Sequence, residues 1–165
     1  MSGELLALRI ESFGGTRASL EDVFAAHSGR MKSVAFNLLG SEADAEDAVQ
    51  EAFLKAHRSL AAFRGGAALH TWIYRALINT CLDEGRRRAR RPAGEISEVP
   101  AKAQQDVRAE LRRAIGTLDG RSHAVFLLAA VEGFSHAEIA VMLEISETNS
   151  RTLLLEARRS LQELL

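Results

Sequence analysis

SHAEIAVMLEISETNSRTLLLEARRSLQEL, residues 135–164, is the stretch that decides the fold. Ser135 followed three residues later by Glu138 is a capping box, in which a hydroxyl and a carboxylate take up backbone N–H groups left free at a helix start. Ile139, Ala140 and Leu143 then recur on one helical face. Glu144-Ile145-Ser146 gives a short turn with an aliphatic plug, and Ser150, Leu154, Ala157, Leu161 and Leu164 stripe a second helix. A capped helix, a tight turn and a second helix with polar tips make a helix-turn-helix pattern. Two readings fit it: a reader of duplex DNA, or a plain helical hairpin packed into a bundle. Thr148, Asn149, Arg151, Thr152 and Arg158 are side chains of the kinds that touch phosphates and base edges, which favours DNA.

Working toward the N-terminus, helical periodicity continues through Ser122–Val131 and Val107–Leu118. Residues 92–106 hold both prolines, Pro92 and Pro100, and few large apolar groups, the composition of a flexible linker. Before it, Thr71 opens a helix with Trp72, Ile73, Leu77, Ile78 and Leu82 that runs into Arg86, Arg87, Arg88, Arg90 and Arg91. Phe63-Arg64-Gly65-Gly66 reads as a loop, because adjacent glycines stop helices. The clearest helix has Ala45, Ala48, Val49, Ala52, Phe53 and Ala56 on one face, and Asp44, Asp47, Glu51, Lys55 and Arg58 on the other. Ser19 caps a helix through Val23 and Phe24, a further stripe follows at Val34, Leu38 and Leu39, and Gly40-Ser41 breaks it. No stretch alternates long enough to be a strand. The expected fold is all-α: a helical domain at 1–91, a linker at 92–106, and a helix-turn-helix domain at 107–165.

Composition narrows the function. The net charge is −1, but the positive charge is local: residues 1–91 carry thirteen Lys and Arg against eleven Asp and Glu, with five arginines between 86 and 91. A basic face, not the total, is what phosphate binding needs. The single cysteine, Cys81, lies on an apolar helix side and gives no disulfide framework. Neither a signal-peptide layout nor an apolar run near 20 residues is present, so the expected compartment is the cytoplasm. The five histidines are scattered, and neither a Gly-rich phosphate loop nor a nucleophile motif occurs. No enzyme, metal site or cofactor is expected.

Three features keep two readings each at this level. The Asp44, Asp47 and Glu51 face is a solvated helix side or a docking surface for a basic or coiled-coil partner; carboxylates alone make a poor metal site. The arginine cluster is a helix end suited to the dipole or a nucleic-acid contact. Phe63, Trp72 and Tyr74 are core, or they stack on an unpaired or flipped base beside Arg64, His70, Arg75 and Asn79.

Taken in order, these pieces resemble the sigma-70 family of sigma factors, in particular the short extracytoplasmic-function group, over about Leu20 to Leu165. Asp44-Ala-Glu-Asp-Ala-Val-Gln-Glu-Ala-Phe53 resembles the segment that binds the coiled coil of the RNA polymerase β′ subunit. Phe63-Arg-Gly, Thr71-Trp72-Ile, Arg75 and Asn79 resemble the segment that opens and reads the −10 promoter element. Glu132-Gly-Phe-Ser-His-Ala-Glu138-Ile-Ala, Ser146-Glu-Thr-Asn149 and Ala157-Arg158-Arg159 resemble the helix-turn-helix that binds the −35 element. The resemblance implies a promoter-specificity protein in which Asp44, Asp47, Gln50 and Glu51 dock core polymerase. It assigns Phe63, Arg64, Arg75, Asn79, Arg86 and Arg87 to −10 DNA, and Thr148, Asn149, Arg151, Thr152 and Arg158 to −35 DNA. It also implies an anti-sigma inhibitor as a partner. The sequence departs from the family pattern at Leu69, where an aromatic is frequent, and at Leu153, Leu155 and Glu156. Those leucines are expected to project from the recognition helix, to weaken −35 binding and to meet the inhibitor. The alternatives are a stand-alone helix-turn-helix regulator and a protein–protein adaptor.

Overall fold

A computed structural model describes residues 10–11, 17–60, 69–90 and 107–164. Two short strands, β1 (Ile10–Glu11) and β2 (Arg17–Ala18), pair antiparallel, Ile10 with Ala18 and Glu11 with Arg17. A two-residue pair has too little alternation to be read from sequence. The remaining regular structure of the described residues is helical.

Helix α1 (Leu20–Leu39) starts on a capping box: the Asp22 backbone N–H donates to Ser19 Oγ at 3.1 Å, and the Ser19 N–H donates to the Asp22 carboxylate at 3.2 Å. It ends where Gly40 adopts φ 73° and its N–H reaches the Phe36 carbonyl at 2.7 Å, a left-handed cap natural to glycine. Ser41 then caps α2 (Glu42–Arg58), which has Glu42 and Asp44 in its first turn and Lys55, His57 and Arg58 in its last, both placed to suit the helix dipole. The buried face of α2 is almost all alanine (Ala45, Ala48, Ala52, Ala56), so α2 packs closely on its neighbours. Helix α3 (Leu69–Ala89) starts two residues before Thr71, which is itself buried. It contributes Ile73, Tyr74, Leu77 and Ile78, all fully buried, to the same core.

The second half consists of α4 (Val107–Gly116), α5 (Gly120–Phe126), a π-helical turn over Leu127–Val131, α6 (His136–Leu143) and α7 (Glu147–Leu164). Asp119 caps α5 through the backbone N–H groups of Arg121 and Ser122. The capping box at α6 is formed as the sequence indicates, Ser135 N–H to Glu138 at 2.8 Å and Glu138 N–H to Ser135 Oγ at 3.1 Å. Glu144 ends α6 in the left-handed region at φ 56°, and Ile145 in the turn packs against the core. Ser146 Oγ accepts the Asn149 N–H at 3.0 Å at the start of α7. Ser150, Leu154, Ala157 and Leu161 are buried along α7, whereas Leu164, expected on the same stripe, is 57% exposed. One buried cluster runs from Leu20 to Cys81 and on through Ala124, Leu128, Ile139 and Leu154; a second, smaller one joins Ala114, Ile115 and Leu161.

Candidate functional site

The acidic face of α2 is present as a surface. Its apolar stripe turns inward, which leaves Asp47, Gln50 and Glu51 exposed on the opposite side. Beside them a groove of about 300 Å³ between α2 and α3 is lined by Asp44, Asp47, Glu51, Asp83 and Glu84, with Lys55 and Arg87. Lys55 Nζ bridges it, 3.2 Å from Glu51 and 3.1 Å from Thr80 Oγ1. Asp44 differs from its neighbours because its carboxylate is paired with Arg88, which also donates to the Leu39 carbonyl. The end of α3 is thereby tied to the α1–α2 corner.

The arginine cluster therefore divides. Arg88 is half-buried and structural, while Arg86 and Arg87 stay exposed, paired among the described residues with Asp83 at 3.0 Å and Glu84 at 3.3 Å on their own helix. Such exposed pairs are worth little and exchange readily for a phosphate. Farther up α3, Trp72, Arg75, Ala76 and Asn79 line a cleft of about 290 Å³ with Lys55 and Ser59 of the preceding helix and its cap. An indole, an amide and two cationic side chains around a base-sized space can hold a planar polar heterocycle by stacking and edge hydrogen bonds. Asn79 is exposed, Trp72 half-buried, and Arg75 is paired with Glu144 from the second half. Tyr74 points the other way, into the core, where burial pushes its hydroxyl up to about 12. Cys81 is buried, and its thiol is likewise raised to about 12, so it is unreactive. Phe63 and Arg64 lie outside the described residues.

On α7, Thr148, Asn149, Arg151, Thr152 and Arg158 are all exposed. Arg151 is held 3.3 Å from Glu147, and Thr152 Oγ1 donates to the Thr148 carbonyl. Of the leucines expected to project, Leu155 does, at 51% exposure, but Leu153 is half-buried against the main core. Helix α7 lies on α6 and α5, and that packing covers more of its circumference than a single stripe indicates.

The residues that sequence reasoning missed join the two halves. Arg30 on α1 donates to the Glu132 carboxylate at 2.9 Å and to its carbonyl at 2.8 Å. The Arg30 guanidinium also lies 5.3 Å from the Phe134 ring centre, and Phe134 stacks on His70 at 6.1 Å and meets Tyr74 edge-on at 4.9 Å. His70 Nε2 lies 3.3 Å from Glu138 Oε1. Burial works to raise the Glu138 carboxyl, but the Ser135 N–H, His70 and the Ser135 hydroxyl outweigh it and leave it lowered. His27 stacks on His70 at 5.3 Å; burial, then the neighbouring His70 and Arg30, hold its pKa below the ordinary value. No local signal marks these contacts, since Arg30 and Glu132 are 102 residues apart. Among the described residues no group of three His, Cys, Asp or Glu side chains is placed to hold a metal, and no helix is long and apolar enough to cross a membrane.

Residues 23–91 match the family model of sigma-70 region 2, and residues 108–161 that of sigma-70 region 4. The chain is 30% identical to the extracytoplasmic-function RNA polymerase sigma factor SigM of Mycobacterium tuberculosis, over 99% of its own length and 84% of the relative's. The chain belongs to the sigma-70 family. As an extracytoplasmic-function sigma factor it directs transcription initiation, and its relatives include the sigma-E factor of Escherichia coli, 30% identical over 72% of each chain. Its fold is that of the Bartonella quintana sigma factor RpoE solved with the anti-sigma factor NepR, with a TM-score of 0.70 at 22% identity over 87% of this chain and 94% of that one. The sigma factor CnrH, solved with the cytosolic domain of CnrY, is similar at a TM-score of 0.67 and 23% identity, over 88% of this chain and 86% of that one. In these terms α1–α3 carry region 2 and α4–α7 carry region 4.

Proposed function

We propose that this sigma factor binds core RNA polymerase in the cytoplasm and places two helical units, 1–91 and 107–165 with 92–106 as linker, on the −10 and −35 elements of a promoter. The observation that carries the reading is the exposed polar surface of α7, where Thr148, Asn149, Arg151, Thr152 and Arg158 stand free of the core behind a capped α6. That helix supplies duplex contact to the −35 element. The Trp72, Arg75 and Asn79 cleft takes a −10 base pulled from the stack, with Phe63 and Arg64 also assigned to that element and Arg86 and Arg87 to the flanking phosphates. The exposed Asp47, Gln50 and Glu51, with Asp44 at the head of the same face, dock the β′ coiled coil. The polymerase performs the chemistry, so the chain needs no cofactor and is not itself an enzyme. An anti-sigma inhibitor fits the fold shared with the NepR-bound relative, and Leu155 offers it exposed apolar area.

Run-off transcription with purified core polymerase on a fragmented genomic library tests the reading. Discrete transcripts that depend on the chain are expected, and Asp47→Lys with Glu51→Lys should abolish them through loss of core binding at unchanged helix content. Fragment binding without retention on core polymerase would instead make the chain a stand-alone helix-turn-helix regulator.

A further inference from the structure

Three residues that are unfavourable where they stand meet at one place. Gly85 lies inside α3, where glycine is a poor helix former, and a Cβ built on it would meet nothing within 4 Å, so no neighbour requires it. Arg121 is exposed in the first turn of α5, where a cation opposes the helix dipole, and it forms no ion pair among the described residues. His123 is buried, its Nε2 lacks a partner among the described residues, and burial lowers its pKa and keeps the ring neutral. All three line a cleft of about 690 Å³ between the last turns of α3 and the corner of α4 and α5. Chains break local rules chiefly at functional sites, and a concave space of this size suits a small molecule.

The lining sets the chemistry of that molecule. Leu38, Leu82 and Leu118 make one side aliphatic, and Arg86 and Arg121 make the other cationic. Among the described residues that line the cleft only His123 carries a ring, so a planar body finds no stacking platform. Asp119, the one carboxylate in the lining, is already occupied: one oxygen accepts the Arg121 and Ser122 N–H groups at 3.0 and 3.2 Å, the other Ser122 Oγ at 2.7 Å. That cap also takes up these N–H groups of α5, which leaves the two guanidinium groups to hold an anion. Arg86 lies 3.0 Å from Asp83, but both are more than half exposed, and a bidentate carboxylate displaces such a pair. Two arginines against one aspartate leave the lining a single positive charge, which a monoanion balances.

We propose that this cleft binds a medium-chain aliphatic carboxylate, its head on Arg86 and Arg121 and its chain along Leu38, Leu82 and Leu118. The site does not depend on the promoter reading above. Titration calorimetry of the full chain at neutral pH, with dodecanoate kept below its micelle concentration, should give one site per chain. Dodecyltrimethylammonium has the same chain on a cationic head, and adenosine monophosphate is an anion without an aliphatic body. Each should bind at least about tenfold more weakly than dodecanoate.

Two variants separate a ligand site from a structural gap. Arg121→Glu should weaken dodecanoate binding at least about tenfold without lowering the melting temperature, because an acidic residue suits the first turn of a helix. Gly85→Leu should raise the melting temperature, since leucine is the better helix former, and should cost a similar factor in affinity by filling the cleft. Stability kept or gained while binding is lost is the mark of residues held for a ligand. No binding of dodecanoate by the parent chain overturns the proposal. So does equal binding by the parent and both variants, equal binding of the cationic analogue, or uptake of many molecules per chain, which is detergent action.

Discussion

Two imidazoles, half-buried His27 and buried His123, contribute to the response to acid. His27 Nδ1 and His123 Nε2 are buried without a hydrogen-bond partner among the described residues, and burial is the main cause that lowers both side chains below the ordinary histidine value. Between the folded and unfolded values the unfolded chain binds more protons, so stability rises with pH and is lost as pH falls through the unfolded value near ~6.5. Urea midpoints should therefore drop between about pH 7 and pH 5.5, and His27→Phe with His123→Phe should flatten that slope. An equal slope in the double variant would place the protons elsewhere. The neighbouring leucines on α7 give a second contrast. Leu153 packs against the core and Leu155 does not, so Leu153→Arg should cost ~1–3 kcal/mol while Leu155→Arg stays within ~0.5 kcal/mol, as read by denaturant melts. Equal losses would mean that both side chains are inside.

At the scale of the element, Glu138 serves two structures at once. It closes the capping box of α6 and meets His70 across the seam, whereas Ser135 serves the cap alone. Ser135→Ala should cost about 1 kcal/mol, the usual worth of an N-cap. Glu138→Ala should cost more, and the excess should vanish in a His70→Ala background, which a double-mutant cycle measures. An excess that survives there would confine Glu138 to its own helix. The two halves of this arrangement were not equally legible in the sequence. Ser135 and Glu138 declare the cap because capping is a relation between residues three apart, as it is at Ser19 and Asp22. Likewise the alanine face of α2 and the Ser150 to Leu161 stripe follow from a 3.6-residue period. Nothing local links Arg30 to Glu132 or Arg75 to Glu144, and a charged residue on a helix looks solvated until the partner helix is placed. The same blindness left Arg88 undivided from the arginine cluster, although it anchors Asp44 and the Leu39 carbonyl. It also let Leu153 pass as exposed, because one stripe on α7 does not reveal that α7 is flanked on two sides.

For the molecule as a whole, the question is how strongly the halves depend on each other. Buried residues form a continuous cluster through both, the ion pairs at the junction differ in exposure (Glu144 57%, Glu132 only 12%), and a cleft of about 690 Å³ lies beside it. The chain has one tryptophan, Trp72 on α3, so its fluorescence reports region 2 alone, while far-ultraviolet circular dichroism reports every helix. Leu161 sits in the small cluster with Ala114 and Ile115, well inside region 4. Leu161→Ala removes buried methylenes and should cost ~2–5 kcal/mol there. The helical signal should then melt in two steps, with the earlier step carrying α4–α7. The Trp72 midpoint should move by less than the helical signal, by what the contacts between the halves contribute. Raising the salt should shrink even that shift, because the pairs at the seam are screened. A Trp72 midpoint that falls as far as the helical signal would mean a single indivisible core that melts in one step.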